Sequence, residues 1–273
     1  MGRSLGQHFL ADRGILDSIV AALAPTPADV VLEVGAGTGT LTRRLALRVG
    51  RVIAIEKDRR LVARLRATVA DADTGPLPPN VDVVQGDALT LDWHALVRHS
   101  PFKVAGNIPY YLTSPLIDKA LTVPLPDVVV YLVQREVAQR LASPPGSRTF
   151  GALTAGVAAV AVTERLLTVP PGAFRPPPRV GSAVVRITPR REPMVALTGL
   201  PAYRSFLAAV FGQRRKQLSR SLRNLFGLDR VGADAVLLSA GVRPAQRPEM
   251  LTPQELVRLF MALRCVDGRT GDP

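Results

Sequence analysis

Five short apolar runs, spaced through the first two-thirds of the chain and separated by stretches of helical periodicity, constrain the fold more than any other feature of the sequence. Val30–Val34, Arg51–Ile55, Val81–Val84, Phe102–Ala105 and Val128–Val133 are rich in β-branched residues and lack strict polar–apolar alternation. Strands of this kind are buried on both faces, as happens when helices cover both sides of a parallel sheet. Helical patterns fill the gaps at Leu41–Arg48, Asp58–Val69, Trp93–Val97 and Ser114–Leu121, and Gln134–Leu141 follows the fifth run. Thr74–Asn80 is a proline-rich loop. Glu164–Val169 and Ala183–Thr188 are expected as two more strands, flanking the proline-rich loop Pro170–Pro178. After Pro189 the pattern changes, and Ala202–Phe226, Ala233–Ala240 and Pro253–Leu263 all read as helices. The expected organisation is an α/β domain over 1–189 and a small all-α domain over 190–273.

An apolar fraction of 47% can build a sizeable core. Against that, 35 Lys+Arg and 22 Asp+Glu leave a formal charge of +13, which attracts polyanions, nucleic acid before anionic membrane. An Arg-rich proteome alone would also produce such a charge. Its distribution is more telling: the last 84 residues carry 14 basic and 7 acidic side chains, the first 189 carry 21 and 15. The single cysteine, Cys265, excludes an intramolecular disulfide and a Cys-cluster metal site. His8, His94 and His99 show no zinc-ligand spacing, so no metal is expected. Asp12 and Arg13 interrupt the apolar run after Leu10, unlike a signal peptide, and Ala152–Val162 is too short to span a bilayer. A soluble, cytoplasmic protein with no membrane partner is expected.

Ligands of open parallel sheets bind beyond the carboxyl ends of the strands. Past the first strand lies Gly35-Ala36-Gly37-Thr38-Gly39, where glycines let the backbone approach a ligand and offer N–H groups at a helix start. Past the second is Glu56, an acceptor suited to two ribose hydroxyls. Shortly after the third is Asp87, suited to an adenine amino group. A phosphate-cradling loop would require Gly-Lys-Ser/Thr, but Thr40 and Leu41 follow Gly39. A dinucleotide fingerprint would require glycine at Thr40. The spacing better suits a cofactor without pyrophosphate, and S-adenosylmethionine has an adenosine and a sulfonium but no phosphate.

Past the fourth strand comes Asn107-Ile108-Pro109-Tyr110. The N6 amine of adenine is a poor nucleophile because its lone pair is delocalised into the ring. Accepting hydrogen bonds from both its N–H groups favours a pyramidal nitrogen aimed at a methyl donor. The Asn107 side-chain oxygen and the Ile108 carbonyl suit that task, Pro109 stiffens the turn, and Tyr110 offers a stacking face. The plainer reading of the tetrapeptide alone is an ordinary Asn-Pro turn.

In the tail, Arg214, Arg215, Lys216, Arg220 and Arg223 fall within eleven residues that contain no acid. On one continuous helix, Lys216, Arg220 and Arg223 would share a face opposite Phe211, Leu218, Leu222 and Leu225. A solvated basic face is the common outcome; beside an adenine-modifying site, phosphate contact with RNA is expected.

Leu5-Gly6-Gln7-His8-Phe9-Leu10, Glu33-Val34-Gly35-Ala36-Gly37, Ile55-Glu56-Lys57-Asp58 and Gly86-Asp87-Ala88 form an ordered set. It continues with Gly106-Asn107-Ile108-Pro109-Tyr110, Phe174-Arg175-Pro176-Pro177-Pro178-Arg179-Val180 and Gln213-Arg214-Arg215-Lys216. In this set, across almost the whole chain, the sequence resembles the ribosomal RNA adenine N6-dimethyltransferase family. The resemblance implies a Rossmann-like class I methyltransferase sheet with a C-terminal all-α RNA-binding domain. It implies that His8, Leu10, Gly35, Gly37, Glu56, Asp87, Ala88 and Asn107 contact S-adenosylmethionine, and that Phe174 stacks on the flipped adenine opposite Tyr110. Many relatives have Asn at the position of His8. Thr113-Ser114-Pro115-Leu116, Gln134-Arg135-Glu136-Val137, Pro145-Gly146-Ser147-Arg148 and Ser182-Ala183-Val184-Val185 resemble the housekeeping small-subunit branch rather than the large-subunit resistance branch, although Gly181 replaces the usual acid. That branch implies dimethylation of two adjacent adenines in the 3′-terminal hairpin of 16S rRNA, within a pre-30S particle, by a monomer. Two other readings are an assembly factor whose catalysis is incidental and a DNA adenine methyltransferase, for which the tail is small.

Overall fold

The computed structural model describes residues 8–67, 76–98 and 101–266. Leu5, Gly6 and Gln7 of the N-terminal motif, Thr68 and Val69 of the helix expected over 58–69, Thr74, Gly75 and His99 lie outside the described residues. In chain order the strands are β1 (Phe9–Leu10), β2 (Val30–Val34), β3 (Arg51–Glu56), β4 (Val81–Gln85), β5 (Lys103–Asn107), β6 (Val129–Gln134), β7 (Ala161–Val169), β8 (Phe174–Arg175) and β9 (Ser182–Pro189). The helices are α1 (Arg13–Ala22), α2 (Thr40–Ala46), α3 (Arg59–Arg66), α4 (Trp93–Leu96), α5 (Thr113–Ala120), α6 (Arg135–Leu141), α7 (Ala152–Val160), α8 (Leu200–Gly212), α9 (Leu218–Phe226), α10 (Arg230–Ser239) and α11 (Pro253–Val266). The chain divides into two compact units: Met1–Ala138 with Glu164–Pro189, and Gln139–Thr163 with Arg190–Pro273.

The first unit is built on a seven-stranded sheet of order β4-β3-β2-β5-β6-β9-β7. The five strands from β4 to β6 pair in parallel, and β9 runs antiparallel to β6. In the inner strands β3, β5 and β6, and in most of β2 and β9, the Val, Ile, Leu and Ala side chains are almost wholly buried, as the absence of alternation requires. Leu16, Ile19, Val20 and Leu23, at i, i+3, i+4 and i+7, share one core with Leu41 and Leu45 of α2 and with Val31, Val52, Ala105, Val130 and Leu132 of the sheet. Helix starts are written in aspartates: Asp12 accepts from Ile15 N at 3.0 Å, Asp58 from Arg60 N at 2.8 Å and Asp92 from His94 N at 2.9 Å. The edge strand β4 is only half-buried and carries Asp82, which accepts from Arg51 Nε at 2.7 Å; a charge there discourages further strand pairing.

Strand order reverses at β2, which pairs β3 on one side and β5 on the other. The two chains leaving β2 and β5 diverge above the sheet and open a crevice, the place where such sheets bind ligands.

The second unit is helical. Tyr203 and Phe206 of α8 meet Phe260 of α11 at ring-centroid distances of 5.3 and 5.5 Å, and Phe206 meets Phe226 of α9 at 6.4 Å. Helix α7, whose Ala155, Val157, Ala159 and Val160 are buried, packs on α8 and α11. Residues 139–163, which the sequence places in the first domain, thus belong with the second unit.

The expected elements recur within three residues at their ends, with three differences. The helix over Ala202–Phe226 is two helices: α8 stops at Gly212 and α9 begins at Leu218. Gly212 weakens the helix there. Helix α1 and the small antiparallel pair β1–β8 are additional, as is α7 within the weakly polar stretch Ala152–Val162. Among the described residues no helix is long and apolar enough to cross a membrane.

Candidate active site

The crevice is a cleft of about 240 Å³. Each wall is the end of a strand. Gly35 and Gly37 follow β2 with φ of +76° and +59°, left-handed values that a side chain would strain. The turn they form is pinned from below: Glu56, the last residue of β3, is buried and accepts from Gly37 N at 2.9 Å through Oε2 and from Asp58 N at 2.8 Å through Oε1. Glu56 therefore shapes the glycine turn while facing the cleft.

Asp87 sits past β4 at the far end. Its Oδ2 accepts from Lys57 Nζ at 2.8 Å and its Oδ1 from Leu89 N at 3.0 Å. The Lys57 hydrogen bond, then that of Leu89, holds the Asp87 carboxyl below the usual carboxylate range. Asp87 is thus a permanent acceptor, with Ala88 beside it on the wall.

Asn107 ends β5. Its Nδ2 donates to the backbone carbonyl of His8 at 3.0 Å. Because a carbonyl can only accept, this bond fixes the amide orientation and leaves Oδ1 as the free acceptor. The His8 ring turns away: its Nδ1 lies 2.8 Å from Pro176 O, where it donates. Of His8, the main chain rather than the imidazole orients the neighbouring amide. Ile108 is buried and Pro109 leads into the 3₁₀ turn Tyr110–Leu112. Tyr110 is held at both ends, its hydroxyl 2.6 Å from Ser182 Oγ and its carbonyl accepting from Thr113 Oγ1 at 3.0 Å. Burial raises its phenol pKa, so the ring stays neutral near pH 7.

His8, Gly35, Gly37, Glu56, Asp87, Ala88, Asn107, Ile108, Pro109 and Tyr110 all line this one cleft. Two expected residues do not. Leu10 is in the core and lines only a recess of about 20 Å³ behind the glycine turn. Phe174 is fully buried, opposite Leu10 in the β1–β8 pair, and its ring belongs to the core and not to the cleft lining. A ring of that size between a sheet and a helix is drawn inward by its apolar area, whatever the motif around it. The exposed aromatic on the rim is Tyr111, 70% accessible, which the sequence reading passed over although it adjoins Tyr110. Phe9 and Lys57 also line the cleft; both sat inside quoted motifs, and nothing in their residue type marked them.

The cleft thus offers acceptors at both ends, with Val34, Ile55, Ala88, Ile108 and Leu116 between them. Such a lining suits an adenosine-like ligand beside an oriented amide oxygen. The ribosomal RNA adenine dimethylase family matches residues 1–263. The chain belongs to that family. Two relatives called ribosomal RNA small subunit methyltransferase A agree with it: one from Xanthomonas campestris pv. campestris (strain B100) is 40% identical over 94% of both chains, and one from Syntrophotalea carbinolica is 40% identical over 96% of both. Among solved structures, a dimethyladenosine transferase from Plasmodium falciparum superposes with a TM-score of 0.79 at 25% identity, covering 96% of this chain and 98% of that one. The 23S rRNA methyltransferase ErmE superposes with a TM-score of 0.69 at 30% identity, covering 93% and 99%. This member of the rRNA adenine dimethylase family has the class I methyltransferase fold.

The cations expected to face RNA all lie in the second unit. Arg220 and Arg223 are exposed on α9, opposite buried Leu218 and Leu222. Arg214, Arg215 and Lys216 lie in the turn between helices, so the single-helix face drawn through Lys216 and Phe211 does not exist.

Proposed function

We propose that this enzyme uses S-adenosylmethionine to dimethylate N6 of two adjacent adenines in the 3′-terminal hairpin of small-subunit rRNA, acting in the cytoplasm on a pre-30S particle during subunit biogenesis. The observation that carries the reading is the Asn107 amide, fixed by the His8 carbonyl in the same cleft as Glu56 and the glycine turn. The lining fits this cofactor: Glu56 for the ribose hydroxyls, Asp87 for an exocyclic amine, an apolar middle for the purine, and a lysine, Lys57, already neutralised by Asp87. Once bound, the cofactor supplies an electrophilic methyl on a sulfonium sulfur.

The residues of the chain do the rest. Asn107 Oδ1 and the Ile108 carbonyl accept from the two N–H groups of the target amine, which localises its lone pair and aims it. Tyr110, immobile between Ser182 and Thr113, gives the base a flat face, and Tyr111 gives the rim a second one. The alkylated nitrogen is acidic enough to release its proton to water, so no strong general base is required. Reaching N6 requires an unpaired or everted base, which a hairpin loop supplies. Second-unit cations contact phosphates and position the substrate without reading its sequence. The resemblance of motifs 113–116, 134–137, 145–148 and 182–185 to the small-subunit branch, together with the names of the two relatives above, favours this target over that of ErmE.

Purified protein with labelled cofactor and small subunits lacking the modification should yield dimethyladenine in the 3′ hairpin. Asn107→Ala should lower that rate by roughly a hundredfold or more with only a small fall in melting temperature, since one preorganised contact to the reacting group and one hydrogen bond to His8 are removed. Label entering 50S particles instead would give the enzyme the other target; full activity in the variant would remove the proposed role of the amide.

A further inference from the structure

Two of the motifs that mark the small-subunit branch meet at a single residue of the site. Strand β9 runs antiparallel to β6, so its first residue, and not its last, lies at the crevice end of the sheet. The register sets Ser182 opposite Gln134, the last residue of β6, while Leu132 of β6 pairs both Asn107 of β5 and Val184 of β9. Arg135 N donates to Gly181 O at 3.0 Å and pins the entry into β9. Ser182, wholly buried, thereby reaches past the end of β6 to the hydroxyl of Tyr110, 2.6 Å away. From the other side Thr113 Oγ1, on a buried residue, donates to Tyr110 O at 3.0 Å. The axis of the Tyr110 ring is thus fixed at both ends, relative to the Asn107 amide that β5 carries three residues earlier.

We propose that Ser182 is a positioning residue whose hold on Tyr110 governs the second of the two methyl transfers more strongly than the first. The inference rests on the rRNA reading and deepens it. In the first transfer the N6 lone pair takes the methyl: an N–C bond forms as the S–C bond breaks, the bonding pair stays on sulfur, and the nitrogen loses a proton to water. The amine enters that step with two N–H groups, one for Asn107 Oδ1 and one for the Ile108 carbonyl, while the base rests on Tyr110. Its product, N6-methyladenine, has one N–H left. The second transfer repeats the same exchange of bonds with a second molecule of S-adenosylmethionine, but one of the two acceptors now faces a methyl group and has no proton to accept. Aim of the lone pair then depends on one hydrogen bond and on the stacking face. A tilt of the ring that two hydrogen bonds would correct is therefore felt in full at the second step. The bond from Ser182 is what prevents that tilt.

The test follows monomethyl- and dimethyladenine over time, by mass spectrometry of nucleosides from 30S particles that begin without the modification. In Ser182→Ala the ratio of the second rate constant to the first should fall about threefold to tenfold below that of the wild type, the worth of one hydrogen bond, so monomethyladenine accumulates. Tyr110→Phe keeps the ring and loses the same bond from its other end, so it should shift the ratio in the same direction. The double variant should shift it no further, because the two substitutions remove one interaction. Melting temperature provides a readout independent of turnover: each single variant leaves a hydroxyl without its partner, and the double variant should melt no lower than the less stable single one. If Ser182→Ala shows no melting transition, Tyr110→Phe alone decides. Variants that slow both transfers equally, or that keep the wild-type ratio, overturn the role of Ser182 and leave the rRNA reading intact. A wild type that forms no dimethyladenine in the particle overturns both.

Discussion

Glu33 illustrates how much one residue can contribute against stability. It is the next-to-last residue of β2, fully buried, with Glu56 nearby. Burial raises its carboxyl pKa to about 8; the Thr42 hydroxyl offsets part of that, and the Glu56 charge adds to it. Neither Thr42 Oγ1 nor Glu33 Oε2 forms a hydrogen bond of regular geometry, so relief is partial. At neutral pH the folded protein therefore carries Glu33 protonated, whereas the unfolded chain releases that proton above the ordinary 4.5. The unfolded state then binds fewer protons, and stability falls as pH rises from 4.5 to about 8, by about 1.4 kcal/mol per unit and a few kcal/mol in all. Glu33→Gln has no proton to hold. Its melting temperature should match the wild type near pH 4.5 and exceed it at pH 8, and parallel curves across that range would show that Glu33 ionises normally.

At the scale of elements, the site depends on how closely β2 and β5 approach. The two strands pair from Val31↔Lys103 to Glu33↔Ala105, and one step on Gly106 lies so near β2 that an added Cβ would stand 2.5 Å from Val34 O. That neighbour is backbone and cannot turn aside. Gly106→Ala should therefore push the strand ends apart beneath both Gly35 and Asn107, costing about 1–3 kcal/mol as other overpacked sites do. A melting point lowered by several degrees and weaker cofactor binding by calorimetry are expected together. Unchanged cofactor affinity in a folded variant would mean that the cleft does not depend on this approach. The same residue was legible in the sequence only as part of a motif; the need for glycine there comes from a neighbouring strand seventy residues away in sequence.

Across the molecule, the boundary at Pro189 that composition implies differs from the one that packing draws. The second unit includes 139–163, and α7 buries Ala155, Val157, Ala159 and Val160 where it packs on α8 and α11, helices that begin at residue 200 and later. A fragment ending at Pro189 would expose that face. It should aggregate or bind a hydrophobic dye on gel filtration, whereas a monomeric, dye-silent fragment would show that α7 is stable without α8 and α11.

What the sequence determined by itself was the parallel sheet, the glycine turn, and the placing of Glu56, Asp87 and Asn107 at strand ends. Those follow from local chemistry: β-branched runs, φ-positive glycines, and the rule that a strand end faces the crevice. Helix α1 was legible too, in Asp12 and the spacing of Leu16, Ile19, Val20 and Leu23, but it was not read. Only the tertiary structure decided that the His8 carbonyl orients Asn107, that Phe174 packs inward while Tyr111 stays outside, and that the basic helix breaks at Gly212 to be capped by a turn thirty residues on. These outcomes share a physical cause. Each depends on which buried or unsatisfied group a distant segment happens to meet, and no local pattern encodes that partner.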